Sequence, residues 1–305
     1  MPSDAHRGLL DPAALARLSR LTVQARSPML GTMTGLHRSA TRGSSVEFAE
    51  YRKYAPGDDI RHVDWRVYAR TDRFYMKEFE ADTNLRAWLL VDASASMAFT
   101  SRHGCRFDQA RRLAASLAWL LVQQGDAAGL VLFGGGGTVE LPPRRSPAHL
   151  GLILDALAAA RPSGGTTLVD TLHVWAEKAR RRALVVLFSD CLADVPHVLD
   201  GFQHLRFHRH DVSVFHLLDP LELEFGFDRP MRFDDLEGAG EIVTDPATIA
   251  ADYRAALDRY LASLAHGCRE FDVDYQLVRA DADWEAALAA FALKRLRAGG
   301  GARRP

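Results

Sequence analysis

The run Trp88-Leu-Leu-Val-Asp92-Ala-Ser94-Ala-Ser96-Met-Ala-Phe99 decides how the rest of the chain is read. Its first half is continuously apolar, which predicts a strand covered on both faces of a parallel sheet. Its second half sets an aspartate at the strand's end and serines at alternate positions beyond it, so that one turn presents three oxygen ligands together. Hard cations require oxygen ligands, and magnesium keeps waters where few carboxylates are present, leaving an exchangeable position for an incoming ligand. The bland alternative is that Asp92 and Ser94 cap the next helix or hold a turn.

Outward from that run the chain alternates short β-branched or leucine-rich stretches with amphipathic stretches of helical period, the signature of an α/β fold. Strands are expected at residues 85–91, 127–133, 138–141, 183–188, 212–217 and 273–278, and helices at 107–123, 147–159, 168–181, 195–205, 246–266 and 283–296. The strands at 127–133 and 138–141 are separated only by Gly134 to Gly137, too short a link for a parallel crossover, so they form a hairpin and one edge strand is antiparallel. A short leading helix is expected from Leu10 to Gln24, with Pro12 in its first turn.

Two later stretches resemble parts of the same site. In Arg161-Pro-Ser-Gly-Gly-Thr166, paired glycines allow a loop to approach an ion and Thr166 offers a hydroxyl. In Ala183-Leu-Val-Val-Leu-Phe-Ser-Asp190, an apolar strand again ends on an aspartate, and the carboxyl ends of neighbouring strands in an open α/β sheet meet where ligands bind. Thr166 and Asp190 also have bland readings as caps of the helices that follow.

The ordered set of D-x-S-x-S, G-G-T and strand-S-D resembles the von Willebrand factor A domain with its metal-ion-dependent adhesion site. The resemblance implies a Rossmann-like three-layer sandwich over residues 85–297, with a mostly parallel sheet of order 3-2-1-4-5-6. It also implies Mg2+ (or Mn2+) held by Asp92, Ser94, Ser96, Thr166 and Asp190, with a carboxylate from a protein partner filling the open place.

Before this domain, residues 27–84 read as a segment of short strands and turns. Gly43-x-x-x-Glu47-Phe48, Arg52-x-Tyr54-x-x-Gly57-Asp58-Asp59-Ile60-Arg61 and Asp64-Trp65-x-x-x-Ala69-Arg70, with Leu218-Asp219-Pro220-x-Glu222-Leu223 further on, resemble domain-of-unknown-function family fifty-eight. That resemblance implies a short form without the transmembrane helices of longer relatives. It also implies a MoxR-type AAA+ ATPase as partner, with this chain a cytoplasmic adaptor in protein maturation or remodelling and no enzymatic activity. Arg52, Asp58, Asp59, Arg61, Asp64, Trp65 and Arg70 form either an ion-paired structural cap or a partner-docking surface, because arginine–carboxylate pairs are geometrically specific.

Composition bounds the alternatives. With 305 residues, 48% hydrophobic, and a formal net charge of -1, the chain has a globular makeup and no electrostatic footprint for nucleic acid. The N-terminus carries no secretory pattern and no apolar run suffices to span a bilayer, so a soluble, cytoplasmic protein is expected. Cys105, Cys191 and Cys268 are odd in number and widely spaced, as free thiols are. His204, His208, His210 and His216 straddle a helix end and a strand, and a solvated helix end is the favoured reading over a metal cluster. Residues 298–305 read as a disordered tail. The competing functions are a magnesium-dependent phosphoester hydrolase, for which the sequence names no general base or arginine clamp, and a structural subunit with an idle site.

Overall fold

The computed structural model describes residues 8–25, 47–53, 67–68, 70, 75–80, 85–134, 136–179, 181–227, 229–238 and 240–300. It divides into two units, residues 28–85 and the remainder. In the smaller unit, Glu47–Lys53 (β1) pairs antiparallel with Tyr75–Glu80 (β2), setting Arg52 opposite Met76, with an irregularity between Phe48 and Glu50. Val67 and Tyr68 are half-buried and Arg70 is exposed. Asp58, Asp59, Arg61, Asp64 and Trp65, and hence the expected charge pairing around them, lie outside the described residues.

The larger unit begins with Pro12–Leu18 (α1), where the Asp11 carboxylate accepts from the Ala13 amide at 3.0 Å. The helix is shorter than the periodicity predicts. The Gln124 side chain takes up the backbone at Val23, accepting from its N–H at 2.8 Å and donating to its carbonyl at 3.2 Å. A backbone so engaged, next to β-branched Thr22, is held out of a helix.

Arg86–Asp92 (β3), Ala127–Phe133 (β6), Val139–Arg144 (β7), Leu184–Ser189 (β8), Asp211–Leu218 (β9) and Asp274–Arg279 (β12) make one sheet in the order β12-β9-β8-β3-β6-β7. All pairings are parallel except that of β7 on β6. Numbered within the sheet, this is 3-2-1-4-5-6 with the hairpin strand at the edge, as expected. The small strands Thr100–Ser101 (β4) and Gly104–Cys105 (β5) form a local ribbon, and Met231–Asp234 (β10) and Glu241–Thr244 (β11) a second hairpin. That second hairpin was not foreseen, because its strands are short and largely exposed, without a sustained apolar run.

Helices Arg106–Gln123 (α2), Pro147–Ala159 (α3), Leu168–Lys178 (α4), Val195–Phe207 (α5), Pro220–Glu224 (α6), Pro246–Glu270 (α7) and Trp284–Gly300 (α8) complete the unit. In β3, β6, β8 and β9 nearly every side chain is buried, which is the physical content of a sheet sandwiched between two helical layers. On one face Trp88 packs against Trp175 with ring centroids 4.5 Å apart and the rings tilted by 51°, within a cluster containing Leu90, Leu187, Val198, Phe202 and Leu264. On the other, α2 buries Phe107, Ala110, Leu113, Ala114, Leu117 and Leu121 at helical spacing.

Candidate metal centre

β3 and β8 are neighbours at the point where the strand order reverses, so their carboxyl ends open on the crevice where open α/β sheets bind ligands. Asp92 ends β3, and Ser189-Asp190 ends β8. Asp92 is wholly buried. One carboxylate oxygen accepts from the Ser94 amide at 2.9 Å, closing the turn, and the other accepts from the Ser189 hydroxyl at 2.7 Å. The same Ser189 oxygen accepts from the Cys191 amide at 2.9 Å, so a residue read only as the strand's end ties the two acidic loops together. Ser94 and Ser96 are buried with their hydroxyl oxygens 3.0 Å apart. Ser94 precedes the 3-10 turn Ala95–Ala98 without a side-chain capping bond, so its hydroxyl is not spent on a helix end.

The glycine loop docks on this turn through its backbone. The Ser163 amide donates to the Ala93 carbonyl at 2.9 Å, and the Ala95 amide donates to the Gly164 carbonyl at 2.8 Å. Gly164 adopts φ +67°, a left-handed conformation that side chains disfavour. The glycine is therefore needed for the turn itself. The Thr166 hydroxyl accepts from the Leu168 amide at 3.3 Å, the local role of its bland reading, while its remaining lone pair stays available. Its amide donates to the Glu237 carboxylate at 3.0 Å, so the loop between β10 and β11 supplies an acid that sequence reasoning did not find. On the other flank Gly134 takes φ +134°, and a Cβ there would lie 2.6 Å from Ala93 and Ser94 backbone atoms.

Asp190 is buried. One oxygen accepts from the Leu192 amide at 3.2 Å, and the helix after it starts beyond Asp194, so Asp190 is not its cap. Its other oxygen lies 3.3 Å from the Arg106 guanidinium but outside hydrogen-bond geometry, leaving that buried atom without a hydrogen bond. Arg106 also reaches Glu222 at 3.0 Å and donates to the Ser96 carbonyl. Glu222 belongs to a capping box: it accepts from the Asp219 amide at 2.8 Å, the Asp219 side chain accepts from Leu221 at 2.8 Å, and the Ser101 hydroxyl donates to Asp219 at 2.7 Å. The Leu218-Asp219-Pro220-x-Glu222 pattern thus aims a carboxylate at the arginine beside Asp190. A charged residue beginning an amphipathic helix ordinarily reads as solvent-facing, which is why Arg106 gave no signal.

The electrostatics fit a cation. Asp190 and Glu222 lie beside the Arg106 guanidinium, whereas the buried Asp92 carboxylate is held by the Ser94 amide and the Ser189 hydroxyl. Burial and the nearby Asp190 charge push the Asp92 carboxyl up to about 6, opposed by its bonds from Ser189 and Ser94. Burial likewise raises Glu222, with Arg106 opposing. Hard oxygen donors, excess negative charge and an orphaned carboxylate oxygen suit Mg2+ or Mn2+ better than a soft metal. Burial and Asp190 raise the Cys191 thiol well above its ordinary range, which favours packing over nucleophilic chemistry. The three cysteines are free.

A von Willebrand factor A-like arrangement is the class that the fold defines. The particular family follows from comparison: the model described as "Protein of unknown function DUF58" matches residues 50–263, and the chain belongs to that family. The uncharacterized protein Rv1480 of Mycobacterium tuberculosis is 29% identical over 97% of this chain and 94% of its own length. Protein YeaD of Bacillus subtilis is 30% identical over 37% of this chain and 26% of its own length. Among solved structures, BatB from Bacteroides thetaiotaomicron is 16% identical, with 70% of this chain and all of that one covered at a TM-score of 0.46. The manganese-loaded TRAP protein of Plasmodium vivax is 19% identical over 43% of this chain and 56% of its own, at a TM-score of 0.32. Among the described residues no helix is long and apolar enough to cross a membrane.

Proposed function

We propose that this protein is a metal-dependent protein–protein interaction module, a cytoplasmic adaptor without enzymatic activity that works with a MoxR-type AAA+ ATPase in protein maturation or remodelling. The observation that carries the reading is the meeting of buried Asp92, Ser94, Ser96 and Asp190 at one sheet end, hydrogen-bonded to the loop that bears Thr166. Asp92, Ser94, Ser96, Thr166 and Asp190 would hold Mg2+ or Mn2+, which when bound supplies a Lewis-acidic position for a partner's carboxylate. Ser189 and the Ser94 amide fix the Asp92 carboxylate, and the Leu192 amide holds one oxygen of Asp190 while the other lies beside the Arg106 guanidinium, so these donors are pre-positioned rather than gathered on binding. The ATPase partner rests on the family resemblance alone.

Affinity purification of wild-type protein and Asp92→Ala side by side in magnesium, with a chelated wild-type arm, tests the reading. Partners retained only by the magnesium-loaded wild type are expected. Capture that survives both chelation and the substitution overturns it.

A further inference from the structure

Helices α4 and α5 leave the loops of Thr166 and Asp190, and along their packed flanks each carries a pair of metal-binding side chain types four residues apart. His173 and Glu177 share one face of α4. His204 in the last turn of α5 and His208 at its C-cap form the facing pair. Residues at this spacing lie one above the other on a helix surface. Three ligand atoms, one each from Glu177, His204 and His208, converge within 4.8 Å of one another. Glu177 Oε1 is 3.0 Å from His204 Nε2 and 3.9 Å from His208 Nε2. The histidines that look adjacent in sequence thus separate in space. His204 and His208 turn to one face, while His210 and His216 are buried elsewhere, where burial lowers both imidazoles to about 4.

We propose that Glu177, His204 and His208 form a second metal site, for Zn2+, independent of the oxygen site. A tetrahedral zinc ion at about 2.0–2.2 Å from nitrogen and carboxylate ligands holds them roughly 3.3 Å apart, a value bracketed by the 3.0 and 3.9 Å from Glu177 to the two imidazoles. Two imidazoles and one carboxylate suit zinc rather than the hard cations of the oxygen site. The second observation is His173, whose Nδ1 lies 3.0 Å from Nδ1 of His204. With Nε2 of His204 on the metal, its Nδ1–H donates to His173, the outer hydrogen bond that fixes tautomer and ring orientation at histidine ligands. Glu177 and His208 are exposed, so the fourth position is open to water or an exogenous ligand.

Titration of untagged, chelator-stripped full-length protein with Zn2+ by calorimetry, and with Co2+ by visible absorption, tests this. One zinc equivalent and the intense absorption of tetrahedral cobalt are expected in the wild type and equally in Asp92→Ala. His204→Ala and Glu177→Gln should each weaken zinc binding at least ~10-fold. His173→Ala, a positioning change, should weaken it by about 10-fold and alter the cobalt spectrum. Circular dichroism confirms that each variant folds. Absence of a zinc equivalent in the wild type, unchanged affinity in His204→Ala and Glu177→Gln, loss of the site in Asp92→Ala, or a six-coordinate cobalt spectrum each overturns the proposal.

Discussion

Asp92 is buried with a carboxyl raised to about 6 from its ordinary 3.8. An acid raised by folding binds its proton more tightly in the folded state, so its contribution to stability is full below about 4 and falls as pH rises through 6. His210 and His216, lowered to about 4 from 6.5 by burial, act with the opposite sign and stabilise the fold as pH rises over nearly the same window. The Asp92 effect therefore appears only as a difference. In chelator, the stability of wild type relative to Asp92→Asn should fall by on the order of 2–3 kcal/mol between pH 4 and 7. Saturating Mg2+ should flatten that difference, because the ion replaces the proton in neutralising the carboxylate. Denaturant melts across pH give the answer. A glycine pair supplies a second contrast: Gly134→Ala drives a methyl into the Ala93–Ser94 backbone, whereas nothing lies within 4 Å of a Cβ at Gly151 in mid-helix. The first should cost about 1–3 kcal/mol and weaken Mg2+ binding, and the second should gain about 0.5–1 kcal/mol with binding unchanged, by urea denaturation and calorimetry.

At the level of elements, polar side chains dock helices onto the sheet. Arg295 of α8 is entirely buried, donates to Ser213 at 2.9 Å and to the Gln24 carbonyl at 2.7 Å, and pairs with Asp211. One side chain thus joins α8, β9 and the segment after α1. Removing one partner of a buried pair leaves the other charge uncompensated, so Arg295→Met should destabilise the protein by about 3–5 kcal/mol in urea titration. In contrast, the solvent-exposed Arg17–Glu285 pair between α1 and α8 should leave stability nearly unchanged in Arg17→Ala by the same titration. Arg106 and Glu222 should be coupled: a double-mutant cycle with Arg106→Met and Glu222→Gln is expected to give an interaction energy of about 0.5–3 kcal/mol.

For the molecule as a whole, a ligand that binds only the folded state stabilises it by mass action. Mg2+ at a hundred times its dissociation constant should add about 2.7 kcal/mol to unfolding, an increment absent in Asp92→Ala. Thermal melts against magnesium concentration measure this, and a flat response in the wild type would count against the oxygen site while leaving the fold untouched.

The alternation of apolar strands and amphipathic helices was legible in the sequence because parallel strands buried on both faces leave an unbroken hydrophobic record, as Leu184 to Phe188 do, and because a four-glycine link admits only a hairpin. The convergence of Asp92, Ser94, Ser96 and Asp190 was legible too, since the acids sit at or just past strand ends and the serines in the turn that follows one of them. Tertiary structure alone decided what supports them. Arg106, Glu222, Glu237 and Arg295 look like surface charges in a linear chain, and they acquire their roles only where packing brings an opposite charge or, for Glu237, the Thr166 amide within reach. The same holds for His173, Glu177, His204 and His208, which no local spacing unites, because their convergence depends on how two helices from different loops lie side by side.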